Sequence, residues 1–119
     1  MAKIDKNDRM MDFEGEALAA ANIPISDTYA IEGRPIAICS GIFVHAGSAG
    51  TGTIKVTLKT EAGREYLIYT ASLGVGATVR WSGITWSLPY KWSGFGSLKV
   101  EITGIDNQSK RYLITVEKL

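Results

Sequence analysis

The chain has 119 residues, with 13 Lys and Arg against 12 Asp and Glu, for a net charge of +1. That length holds one domain with a core of its own, needing neither disulfides nor a metal. The near-neutral balance gives no electrostatic reason to expect nucleic acid or an anionic membrane as a partner. The single cysteine, Cys39, leaves no intrachain disulfide to form.

Two regions read differently. Residues 1–35 form an N-terminal arm and residues 36–119 a β-domain. Residues 1–34 carry four basic and seven acidic side chains, net −3, and the remainder nets +4. An acidic arm beside a basic body suits recognition of one subunit by the next, and two solvated surfaces account for the same numbers. Residues 1–6 (MAKIDK) lack the apolar core of a signal peptide, and no apolar run approaches about 18 residues. The expectation is synthesis in the cytoplasm with no membrane span.

In chain order, residues 1–11 are polar and mixed in charge. Asp12 is placed to cap a short helix through Glu14, Glu16 and the alanines to Ala21, with acidic residues in its first turn. Asn22 and Pro24 end it. A helix of about ten residues is marginal alone in water and needs a surface to lie on. Residues 23–35 follow as an irregular stretch. Residues 36–45 are a nearly continuous apolar run, read as a strand buried on both faces, with Cys39 a buried, inert thiol. Residues 46–52 (AGSAGTG) form a small-residue loop. Residues 53–60 alternate, with Ile54, Val56 and Leu58 on one side and Lys55, Thr57 and Lys59 on the other. A hairpin at 61–64 leads into the return strand 65–71. A short strand covers 77–81, and Ile84, Trp86 and Leu88 alternate up to Pro89. Residues 97–103 put Leu98, Val100 and Ile102 on one face. Residues 110–117 close the domain with Tyr112, Ile114 and Val116 inward. About seven short strands at regular spacing predict an all-β fold, an antiparallel sandwich of jelly-roll-like form, with an N-terminal arm containing one short helix.

Chemistry is sparse. His45 is the sole histidine, so a zinc site of ordinary His/Cys composition is not available. His45 is expected as a strand-end or interface residue. Residues 74–79 begin like a dinucleotide fingerprint but lack its third glycine, and the Gly-rich loop 47–52 is followed by no phosphate-binding lysine. No nucleophile elbow is present. No catalytic residue, cofactor or metal is therefore expected, and the chain is read as a non-enzyme. The densest cluster is Trp81, Trp86, Tyr90, Trp92 and Phe95. Trp86 is in phase with Ile84 and Leu88 and belongs to a core. Tyr90 and Trp92 follow Pro89 in a loop and suit a surface role, either in a subunit interface or as a stacking platform for sugar rings.

The stretch WSGITWSLPY (81–90), followed by GSLKVEITG (96–104), resembles the small β-sandwich virion proteins of tailed bacteriophages, which include capsid decoration (cement) proteins and neck or tail components. The resemblance covers residues 36–119 in style. It implies a non-enzymatic virion protein, oligomeric and often trimeric, that binds the major capsid protein or a neighbour through an extended N-terminal arm. On this reading the contact residues are Phe13 and Leu18 on the helix, Ile23, Ile25 and Tyr29 on the arm, and Tyr90, Trp92 and Phe95 on the loop. Deleting residues 2–34 is expected to leave a folded β-domain that does not assemble. The alternative is a carbohydrate-binding module or receptor-binding tip using Trp92, Tyr90 and Trp81.

Overall fold

The computed structural model describes residues 2–5, 10–17, 24–31, 35–82, 91–92, 94–105 and 108–118. Within them lie ten strands: β1 (Ala2–Asp5), β2 (Met10–Ala17), β3 (Ile25–Ala30), β4 (Ile36–His45), β5 (Gly52–Thr60), β6 (Glu65–Leu73), β7 (Thr78–Ser82), β8 (Lys91–Trp92), β9 (Phe95–Thr103) and β10 (Lys110–Lys118). Two antiparallel sheets face each other. The larger runs β1-β2-β10-β4-β7, with β8 also paired to β4, and the smaller runs β3-β9-β5-β6.

The expected inward rows hold on β5, β9 and β10, while Thr57, expected on the outward side of β5, is buried as well. Ile54, Val56 and Leu58 register with Ile102, Val100 and Leu98, and all six are buried. Tyr112, Ile114 and Val116 form the inward row of β10. Period-2 patterning puts one face of each strand against the other sheet.

The N-terminal region corrects the sequence reading. Residues 10–17 are a strand rather than the start of a helix, and no helix occurs among the described residues. Leu18 to Ala21 and the strand expected around Trp86 lie outside those residues. The physical reason is readable in β2 itself. Phe13 and Gly15 face the core, Glu14 and Glu16 face out, and β10 supplies a full ladder from Lys110↔Ala17 to Glu117↔Met10. Ten residues of isolated helix gain little in water, whereas residues 10–17 as a strand bury Phe13 completely and pair the edge of β10. Residues 25–30, read as irregular, pair with β9 along their whole length. Both segments are strands of the sandwich, so residues 10–17 and 25–30 are not a free arm.

The run at β4 is likewise half in and half out. A bulge leaves Cys39 unpaired between Ile38↔Val116 and Ser40↔Thr115. That extra residue shifts the alternation, so Ile36 and Ile38 face inward before it and Phe43 and His45 after it. Cys39 points to solvent, which corrects its expected burial.

Candidate functional site

Three places collect polar or exposed apolar groups in a built arrangement. The first is interior and clasps the two sheets. Tyr112 on β10 donates to the Asp27 carboxylate on β3 at 2.6 Å. The Tyr29 hydroxyl sits against that of Tyr112 and donates to the Glu14 carbonyl on β2 at 2.9 Å. Tyr29 stacks on Phe13 with ring centroids 4.5 Å apart. Burial, followed by the hydrogen bonds to Asp27 and Tyr29, holds the Tyr112 phenol protonated well above its ordinary range. Phe13, Ile25 and Tyr29, expected as partner contacts, are all buried here in the core. They had no place in a seven-strand sandwich, but β2 and β3 supply the missing strands. Leu18, Ile23 and Tyr90 lie outside the described residues.

The second place is the end of the sandwich at His45. The ring Nδ1 accepts from the Gly47 N–H at 3.0 Å, which makes Nε2 the protonated nitrogen. Nε2–H then donates to the carbonyls of Ala49 and Gly50, each at 3.0 Å. His45 is in register with Lys110, whose buried Nζ donates to the Ile105 carbonyl at 2.7 Å. Gln108 completes the group by accepting from the Ser48 N–H at 2.7 Å. The histidine shapes the loop that follows β4, as expected of a strand-end residue.

The third place is the outer edge of β6. No described strand pairs with it on that side. Tyr66 (43% exposed), Leu67 (55%) and, just past the strand, Val75 (51%) are the exposed large apolar side chains among the described residues. Tyr66 meets Phe95 edge-on at 5.8 Å, so Phe95, half-buried, joins this surface from β9. The sequence reading took β6 as a plain return strand. The missed signal was residues 66–73 (YLIYTASL), a strand with no charge and no proline.

Other surfaces are better defended. The outer face of the larger sheet has a shallow groove of about 300 Å³ floored by Ile42, Val44 and Leu113 and flanked by Glu14 and Arg111. Trp81 is buried and stacked on Tyr69 at 4.6 Å, which removes it as a sugar platform. Trp92 pairs with Ile36 through the backbone. Among the described residues, no helix is long and apolar enough to cross a membrane, and no group of three or more His, Cys, Asp or Glu gathers around a possible metal position.

The fold and these surfaces define an all-β sandwich with an open apolar edge. No protein-family model and no curated protein matches the chain. Among solved structures it is similar to the Yersinia pseudotuberculosis-derived mitogen (TM-score 0.47, 11% identity, covering 92% of this chain and 86% of that one). It is also similar to a subunit of the disulfide-linked pili of Bacillus endospore appendages (0.45, 11%, 99% and 96%). A third is the SPBc2 prophage-derived protein YomS (0.44, 12%, 88% and 94%). Likeness at this level fixes neither a family nor a role.

Proposed function

We propose that this protein is a non-enzymatic structural component of a virion, a capsid decoration protein or a head or tail component, that acts as a homo-oligomer and docks on another virion protein. The observation that carries the reading is the strand order. Leaving aside β1 and β8, eight strands alternate between the sheets as β2-β10-β4-β7 and β3-β9-β5-β6. That order supports reading the sandwich as a jelly roll, an architecture used by viral capsid domains and by lectins. Fold alone does not choose between those uses. The resemblance of residues 81–90 and 96–104 to phage virion proteins favours the first, and the exposed apolar edge at Tyr66 and Leu67 supplies a docking surface.

Docking then runs through the sandwich surface and not through Phe13, Ile25 and Tyr29, which are used in the core. The test is co-expression with the genes that flank this one in its genome, followed by gradient sedimentation. The chain is expected in the particle fractions. A folded chain that stays at the top of the gradient while particles form argues against the reading. A shift of tryptophan fluorescence with a defined glycan would instead favour the lectin use.

A further inference from the structure

We infer that the outer face of the larger sheet packs against the same face of a second copy of this chain, about a twofold axis that runs along the strands between β10 and β4. The inference rests on the assembly reading and names the interface of its homo-oligomer.

The face is built on one row of side chains in unbroken register. Leu113 on β10 pairs with Glu14 on one side and with Ile42 on the other, and Ile42 pairs with Arg80 on β7. Their chain neighbours Phe13, Ile114, Phe43 and Trp81 are buried between the sheets, so period-2 alternation turns all four outward. The bulge at Cys39 falls beyond Ser40 and Thr115 and leaves this row intact. Across the sheet the row reads acid, apolar, apolar, base. Glu14 and Arg80 are exposed, and Ile42 and Leu113 are half-buried. With Val44, the two apolar residues floor the groove of about 300 Å³.

The charges select the occupant. Among the described residues, neither the Glu14 carboxylate nor the Arg80 guanidinium has an ion-pair partner in its own chain. An uncharged partner would have to desolvate both. A half-turn about an axis along the strands lays the row over its own reverse. Glu14 of each copy then meets Arg80 of the other, and Leu113 of each meets Ile42 of the other. An axis in the interface but across the strands would instead set Glu14 on Glu14 and Arg80 on Arg80, with like charges in contact at both ends. The face is therefore self-complementary in one orientation, which is what an isologous interface requires.

The flanking rows fit the same operation. Glu16, Arg111, Val44 and Thr78 lie in register, and the half-turn lays the alkyl stem of Arg111 across Val44 of the other copy. On the other side Asp12, Thr115, Ser40 and Ser82 lie in register, so no like charges meet in either row. Sheets stacked face to face cross at about 30°. At the spacing of strands that angle offsets the row ends by about 4 Å, within reach of glutamate and arginine side chains. Four strands and three rows span about 19 by 20 Å. That is small for an interface, so the dimer is expected to dissociate at about 0.1 mM. The β6 edge stays outside it.

The test is sedimentation equilibrium of the full chain from about 10 μM to about 1 mM, with far-UV circular dichroism to confirm folding. A mass rising toward twice 12.9 kDa is expected for the natural sequence. Glu14→Arg and Arg80→Glu should each raise the dissociation constant about tenfold or more, because two opposite-charge contacts become two like-charge ones. Mixing the two variants should restore association, since each supplies the charges that the other lacks. Both substitutions in one chain should restore it as well. A monomer at every concentration overturns the inference. A dimer indifferent to Glu14→Arg and Arg80→Glu overturns it too, and a dimer lost but restored neither by mixing nor by the exchanged pair overturns the twofold. A monomeric chain that still sediments with particles sinks self-association alone. A dimer of this kind that joins no particle sinks only the virion reading.

Discussion

Gly15 stands directly opposite Tyr112 in the register of β2 and β10, and the missing side chain is what lets Asp27 reach the phenol. A Cβ at Gly15 would run into both the Asp27 carboxylate and the Tyr112 ring. Gly15→Val should therefore lose about 1–3 kcal/mol from overpacking, with Gly15→Ala toward the lower end. Urea unfolding measures the difference. A variant as stable as the natural chain would show that the clasp adjusts without strain.

Tyr112→Phe removes one hydroxyl from the same clasp and leaves the Asp27 carboxylate without its donor. The expected loss is about 1–3 kcal/mol, the cost of an unmet partly buried acceptor. Asp27→Asn keeps an acceptor in place and should cost less.

The clasp also sets an alkaline limit. The phenol of Tyr112 titrates higher in the folded chain than in the unfolded one, where it is near 10. The folded state then holds a proton that the unfolded state gives up, so its contribution is complete below about pH 10 and is lost as pH rises further. Stability should fall above that point by up to about 1.4 kcal/mol per pH unit for this group. Tyr112→Phe should flatten the slope by one proton's worth. Urea unfolding at a series of alkaline pH values gives both slopes, and equal slopes would remove Tyr112 as the cause.

His45 holds three backbone groups of the loop after β4. His45→Ala should cost about 2–4 kcal/mol from lost hydrogen bonds and the space left behind. Hydrogen exchange at Gly47 should quicken by more than exchange in β9. A uniform change across the chain would mean that His45 acts on global stability and not on the loop.

Deleting residues 2–31 removes β2 and β3, with Phe13, Ile25 and Tyr29. The remainder should show no cooperative unfolding, because losing a buried Phe side chain alone costs about 3–5 kcal/mol against a domain stability of about 5–15 kcal/mol. A cooperative melt of the shortened chain would return these residues to the role of an arm.

Strands β5, β9 and β10 were legible because their apolar residues recur at every second position between Gly-rich turns. β5, β9 and β10 each present three such residues, and the structure buries all nine. β2 and β3 were not legible for a reason that is physical. Their inward positions include Gly15 and Asp27, which carry no apolar signal and are used only because Tyr112 fills the space between them. Alanines after Gly15 and acidic residues before it imitate a helix start. Cys39 was misplaced because a bulge is a property of two strands together, and only the register with β10 reveals it. The open edge at β6 was missed for the converse reason. The strand was read correctly, but which strands end a sheet depends on topology.

β10 lies between β2 and β4, so the larger sheet has no centre until its last strand arrives. Phe13 must wait for Ile114, some hundred residues later, and until then the layer over the smaller sheet is in separate pieces, β1–β2 and β4–β7. Pairings this distant in sequence make folding slow, because the loop must close before the contacts repay it. During synthesis the apolar rows of β5 and β9 are made first and stand uncovered. Within that interval the uncharged edge of β6 is an exposed route to mispairing, so how fast β10 docks governs how much chain reaches the folded state.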